Sequence, residues 1–178
     1  MFPVLETERL ILREIEKTDA KDIFACFSRD AVTRFYGQDT LTSEEQAEGF
    51  VEFFKNSFLE RRGIRWGIER KQKKGLVGTV GFNAWSPKHK RAEIGYEIHP
   101  DHWRNGYARE AVLEVISYGF NDLELNRIGA VVFLQNEASN EMLIKLGFQK
   151  EGILRDYMIQ NGNPYDVNIY AKIKERRI

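Results

Sequence analysis

Three strand-like runs follow one another with no room for a helix between them: "IRWGIERK" (64–71), "GLVGTVGFNAW" (75–85) and "AEIGYEIHP" (92–100). Only "KQKKG" and "SPKHKR" separate them, and their glycine, proline and charges mark turns. Connections that short join antiparallel neighbours, so the middle of the chain is a meander. The pattern then changes period. From Ala108 the apolar residues Ala111, Val112, Val115, Ile116, Gly119 and Phe120 fall on one side of a helix. Strand "RIGAVVFL" (127–134), helix "ASNEMLIKLG" (138–147) and strand "FQKEGILRDYMIQ" (148–160) follow, and "NG" at 161–162 turns the chain into a last strand, "YDVNIYAKI" (165–173).

Ahead of the meander, "RLILREI" (9–15) alternates as a strand does, and Thr18 or Asp19 is placed to cap a helix "AKDIFACFS". A longer helix over 42–62 has Thr42 and Ser43 as caps and glutamates in its first turn. Its residues Phe50, Phe53, Phe54 and Phe58 recur at helical spacing and read as core rather than as a surface that inspects a substrate. The 178 residues suit one domain, 1–178, with no linker or repeat.

The 27 basic and 27 acidic residues cancel, which gives no long-range attraction to nucleic acid or to an anionic membrane. No apolar run reaches the length of a membrane span, and the expected location is the cytoplasm. Cys26, the single cysteine, sits among Ile23, Phe24 and Phe27 and reads as a reduced core thiol. His99 and His102 have no further His/Cys cluster beside them, so no metal is expected.

The stretch most suggestive of chemistry is "HPDHWRNGYAREA" (99–111). A helix start exposes backbone N–H groups without internal partners, together with the positive end of the helix dipole, and this combination binds anions. Gly106 lets a ligand approach the backbone, Ala108 keeps the helix start small, and Arg104 and Arg109 add positive charge. The alternative is an ordinary turn in which Asn105 or Gly106 only helps the helix begin. Neither a G-K-[ST] loop nor a glycine-rich strand-to-helix turn is present, so nucleotide hydrolysis and dinucleotide redox chemistry lack their basic parts.

"TERLILRE", "AEIGYEIHPDHWRNGYAREA" and "NEASNEMLIKLGFQKEG", in this order and spacing, resemble the GNAT superfamily of N-acetyltransferases. The likeness is to the RimJ/RimL-like branch, which includes enzymes that acetylate the amino terminus of ribosomal proteins. It implies an α+β fold: a central, mixed and strongly twisted sheet of about seven strands flanked by about four helices. It also implies acetyl-CoA as co-substrate, its pyrophosphate on backbone N–H groups of Trp103, Arg104, Asn105, Gly106, Tyr107, Ala108 and Arg109. The pantetheine arm would lie beside Glu97, Ile98 and His99, with Asn136 and Ser139 in contact. Trp103 departs from the Gln or Arg usual at that position.

By the same likeness Glu93 is the candidate base, set against a strand carboxylate that merely pairs with Arg91. Glu97, two residues along, is a weaker candidate. Leu143 occupies the place where many members carry a proton-donating tyrosine, which leaves Ser139 as the nearest hydroxyl. Ser139 and Asn136 also have a plain reading as helix caps. The implied reaction is direct attack of a primary amine on the thioester in a ternary complex. The expected amine is a protein or peptide N-terminus, such as that of a ribosomal protein; the alternatives are a small-molecule amine and a non-catalytic acyl-CoA-binding module. A homodimer through the carboxyl-terminal hairpin is a further expectation.

Overall fold

The computed structural model describes residues 1–175. Eight strands form one mixed sheet: β1 (Leu5–Glu6), β2 (Leu10–Glu14), β3 (Ile64–Arg70), β4 (Lys73–Ser86), β5 (Arg91–Ile98), β6 (Arg127–Phe133), β7 (Gln149–Gln160) and β8 (Asn163–Ile173). Their spatial order is β1-β2-β3-β4-β5-β6-β8-β7. Five helices accompany them, α1 (Ala20–Phe27), α2 (Asp30–Thr33), α3 (Glu44–Leu59), α4 (Tyr107–Asn121) and α5 (Glu137–Lys145).

The meander forms as its short turns require, with β3, β4 and β5 antiparallel in sequence order. β6 returns parallel to β5 after the α4 crossover, and "NG" closes the β7–β8 hairpin with Asn161 and Gly162 both at positive φ. Two elements exceed the expected number. β1 has two residues and α2 four, less than one useful period of either pattern, so neither left a signal in the sequence. β8 lies between β6 and β7, which leaves β7 at the sheet edge.

Apolar cores form on both faces of the sheet. On one face α4 buries Ala111, Val112, Val115 and Ile116 against Trp66, Phe82, Ile94 and Ile128. On the other, α1 and α3 enclose Ile23, Cys26, Phe27, Ala47 and Val51. Cys26 is 3 % exposed and burial pushes its thiol pKa up, so it stays a neutral core group. Ser43 is the cap of α3: its hydroxyl receives the Gln46 N–H at 3.4 Å, and the Gln46 side chain receives the N–H groups of Thr42 and Ser43 in return. Phe50 and Phe54 pack into the core as expected, whereas Phe53 is 56 % exposed. Among the described residues no helix is long and apolar enough to cross a membrane.

The feature that makes a site is a parting of strands. β5 and β6 pair only over Arg91↔Arg127, Ala92↔Ile128 and Glu93↔Gly129. Beyond that point β6 stays with β8 as far as Phe133↔Val167, while β5 stays with β4 as far as Ile98↔Gly78. A wedge opens between them, with Glu93 at its apex.

Candidate active site

The α4 start flanks this wedge, and its backbone is bare. Gly106 occupies the N-cap position at φ 77°, a left-handed conformation that favours glycine, and no side chain caps the helix. The Glu110 N–H is the first to find a helical partner, Gly106 O at 3.0 Å, so the N–H groups of the first turn are left for a ligand. Asn105 does not cap: its amide donates to the carbonyls of His102 and Trp103 and folds the loop on itself. The Trp103 indole donates to Ile98 O at 2.7 Å, tying the loop to β5.

Arg9, at the head of β2, clamps the loop from the other side. Its Nη1 donates to Asn105 O (2.9 Å), its Nε to Glu110 (2.7 Å), and its guanidinium lies over the Tyr107 ring. Burial opposes ionisation of Glu110, but hydrogen bonds from Thr7 and Arg9 outweigh it and hold the pKa below the usual carboxylate value. The "TERL" segment and the glycine loop, far apart in sequence, are therefore one mechanical unit.

A cleft of 540 Å³ runs from this corner towards the wedge. Tyr107, Ala108 and Arg109 line it beside Gly106, together with Trp103 and Arg104 from the loop. Glu97 and Ile98 contribute from β5, and Asn136 and Ser139 from α5. His99 and Asn105 are not among its lining residues. The His99 imidazole turns back to accept the Asp101 N–H and so stabilises the turn after β5. His102 does line the cleft; burial, then Arg70, lowers its pKa.

Glu97 lines the cleft but its carboxylate is already spoken for. Thr79 Oγ1 donates to it, Tyr36 donates at 2.6 Å, and Arg65 pairs with it while 5 % exposed. A buried carboxylate held by three donors, one of them a guanidinium, is costly to free for proton transfer, which disfavours Glu97 as a base. Glu93 is different. It lines a smaller cavity of 160 Å³ in the wedge, with Asn83, Tyr96, Ser139 and Leu143, and no ion pair engages it among the described residues. Arg91 does not pair with it, and Arg127 is taken bidentately by Glu151.

At the other side of the wedge, Asn136 caps α5 by accepting the Ser139 N–H at 3.2 Å, which decides between the two capping candidates and leaves the Ser139 hydroxyl unspent. Tyr96 carries no signal in the sequence that marks it as a site residue. Its ring lines both the cleft and the wedge cavity, and its buried hydroxyl has no hydrogen-bond partner. Burial pushes its pKa up to about 12, against a lowering by the neighbouring Ser139 hydroxyl. Phe35 and Tyr36, also unforeseen, line both cavities from the irregular segment after α2, where no periodicity marks them. Among the described residues no group of three or more His, Cys, Asp or Glu converges as a metal site would.

Residues 9–149 match the family model described as Acetyltransferase (GNAT) domain. The chain is 61 % identical over 176 residues to the uncharacterized N-acetyltransferase YoaA of Bacillus subtilis (strain 168), covering 99 % of each. It is 31 % identical over 131 residues to the ribosomal-protein-serine acetyltransferase of Escherichia coli (strain K12), 74 % of this chain and 72 % of that one. Its fold is similar to that of RimL, described as a ribosomal L7/L12 α-N-protein acetyltransferase in complex with coenzyme A. That likeness has a TM-score of 0.84 at 20 % identity, over 96 % of this chain and 98 % of the other.

Proposed function

This chain belongs to the GNAT acetyltransferase family and is an N-acetyltransferase, and from that premise we propose that it acetylates the N-terminal α-amine of a protein or peptide, of the kind its ribosomal-protein-serine acetyltransferase relative is named for. Acetyl-CoA, the second substrate, supplies the activated acyl group. The residues present fit it: the uncapped first turn of α4 offers N–H groups and a positive dipole end to a diphosphate, and the cleft leads from there to the wedge. Ile98, Asn136 and Ser139 stand where a pantetheine arm would pass.

The observation that carries the reading is the place of Glu93. It sits on the last β5–β6 pair, where the strands part, in a cavity that adjoins the cofactor cleft and with no ion pair among the described residues, Arg127 being taken by Glu151. An amine entering from that cavity gives its proton to the Glu93 carboxylate, directly or through one water, and its freed lone pair attacks the thioester carbon. An α-amine, with a pKa near 8 against about 10.4 for a lysine side chain, asks little of that base. When the carbon–sulfur bond breaks, the departing sulfur takes one proton from the Tyr96 hydroxyl, with Ser139 beside it, and the second proton that the nitrogen sheds on becoming an amide restores that hydroxyl. A small-molecule amine is the competing acceptor, since the same atoms would serve it.

The test is release of CoA thiol from acetyl-CoA with serine-started peptides and with spermidine offered side by side. The peptides should be consumed with the higher kcat/KM, and Glu93→Gln should lower it by roughly 10²-fold or more while CoA affinity is unchanged. Preferred turnover of spermidine would transfer the assignment to small amines. No turnover of any amine, with CoA still bound, would leave a binding module.

A further inference from the structure

A second groove, of 370 Å³, lies beside the wedge between the C-terminal half of α3 and strands β3 and β4. Its walls are Phe53 and Phe54 on one side and Trp85 on the other, and it meets the wedge cavity at Asn83, which lines both. Asn83 is the cross-strand partner of Glu93, so the groove begins next to the proposed base.

The polar groups facing this groove are short of acceptors. Arg65 spends Nε on Thr79 (2.7 Å) and Nη2 on Tyr36 (2.5 Å) and Glu97, yet Nη1 has no partner among the described residues. That nitrogen lies over Gly95, 3.0 Å from where a Cβ would stand, and Nδ2 of the exposed Asn83, with no protein partner among the described residues, is 3.1 Å from the same point. Two donors thus converge above a residue with no side chain, on the ridge between the two cavities. The Trp85 Nε1–H is buried and has no partner either. Arg65 is only 5 % exposed, so a ligand oxygen that reaches Nη1 meets a largely desolvated guanidinium.

We propose that this groove is the acceptor's second subsite: Arg65 Nη1 and Asn83 Nδ2 hold the main-chain carbonyl that follows the N-terminal residue of a peptide, and the next side chain, apolar, lies between Phe53, Phe54 and Trp85. The inference rests on the peptide reading above and sharpens it. A peptide brings the carbonyl oxygens these donors lack and an apolar group for the aromatic walls. A polyamine brings only further N–H donors and positive charge, towards a groove whose charged lining residues are Arg62 and Arg65. The exposure of Phe53, an oddity for a core helix, follows from the same assignment.

The experiment compares Ser-Leu-Ala-Ala amide, serine amide and free serine as acceptors, for wild type, Asn83→Leu and Trp85→Leu, and measures binding of the tetrapeptide to CoA-loaded protein by calorimetry. Wild type should prefer the tetrapeptide over serine amide by roughly tenfold or more in kcat/KM, carried by KM; Trp85→Leu should cut that ratio several-fold, the size of one apolar contact, whereas Asn83→Leu, because serine amide carries the same carbonyl, should raise KM several-fold for both amides. Equal use of the two amides, or an unchanged ratio in Trp85→Leu together with unchanged KM values in Asn83→Leu, overturns the subsite. So does a preference for free serine over both, which would give the donors to an amino-acid carboxylate. If no acceptor is acetylated, the function proposed above fails, and calorimetry still decides this one: tetrapeptide binding weakened in both variants upholds the groove, and absence of binding overturns it.

Discussion

Tyr96 shows how one residue alters the reading of a site. With Leu143 fully buried where a hydroxyl was sought, protonation of the departing thiolate had only Ser139 as a named source. The Tyr96 phenol is buried, with the Ser139 hydroxyl as its polar neighbour. A raised pKa keeps a phenol in its neutral, donating form. From an ordinary value near 10 it is pushed up to about 12, so the proton is held throughout the neutral range and lost only as the pH climbs towards that value. Tyr96→Phe should lower kcat by about tenfold, a modest loss because a thiolate with a pKa near 8.5 departs with little help. The wild-type kcat profile should show no alkaline fall from this group short of about pH 12. Unchanged kcat in Tyr96→Phe, with a loss in Ser139→Ala, would assign the proton to Ser139 alone. Glu97 teaches the opposite lesson. It shares a sheet face with Glu93, but Arg65, Thr79 and Tyr36 turn it into a strut, which residue type and spacing alone do not reveal.

At the scale of elements, the start of α4 is held open by its neighbours rather than by its own sequence. Glycine at the N-cap contributes no capping side chain, and the loop keeps its shape through Arg9 on Asn105 O and Trp103 on Ile98 O. "TERLILRE" was read as a strand and as a family likeness; its mechanical link to the loop depends on β2 lying near α4 in three dimensions, which the sequence does not state. Arg9→Ala removes two hydrogen bonds, an ion pair with Glu110 and a cation–π contact from a half-exposed site. It should weaken CoA binding by about threefold to tenfold, with less effect at high salt in so far as its charge also attracts the diphosphate. Titration calorimetry at two salt concentrations checks this, and an unchanged affinity would show that the loop is self-supporting. Elements with a full period were legible: the three-strand meander, α3 with its Ser43 box, α4, α5 and the "NG" hairpin all form where the pattern put them. β1, α2 and the Phe35–Tyr36 segment were not, because two to four residues carry no periodicity.

In the molecule as a whole, the fold was readable because local patterns and overall topology agree, and a mixed sheet with α4 crossing over it is what the order of periods requires. The site was readable in part. Backbone-binding residues announce themselves through glycine and helix starts, whereas the apex of a wedge depends on where two strands stop pairing, and Asn83, Tyr96 and Arg65 converge on it from separate strands. Proposed acetyl transfer depends on the α4 start taking the diphosphate and so directing the acyl group along the cleft to Glu93. Gly106→Val addresses that claim most directly, because it places a branched side chain at φ 77° on the bare backbone. Calorimetric titration of CoA into this variant, alongside circular dichroism to establish that it is folded, should give an affinity at least about tenfold weaker than wild type. A folded Gly106→Val protein that binds CoA as tightly as wild type would contradict the account.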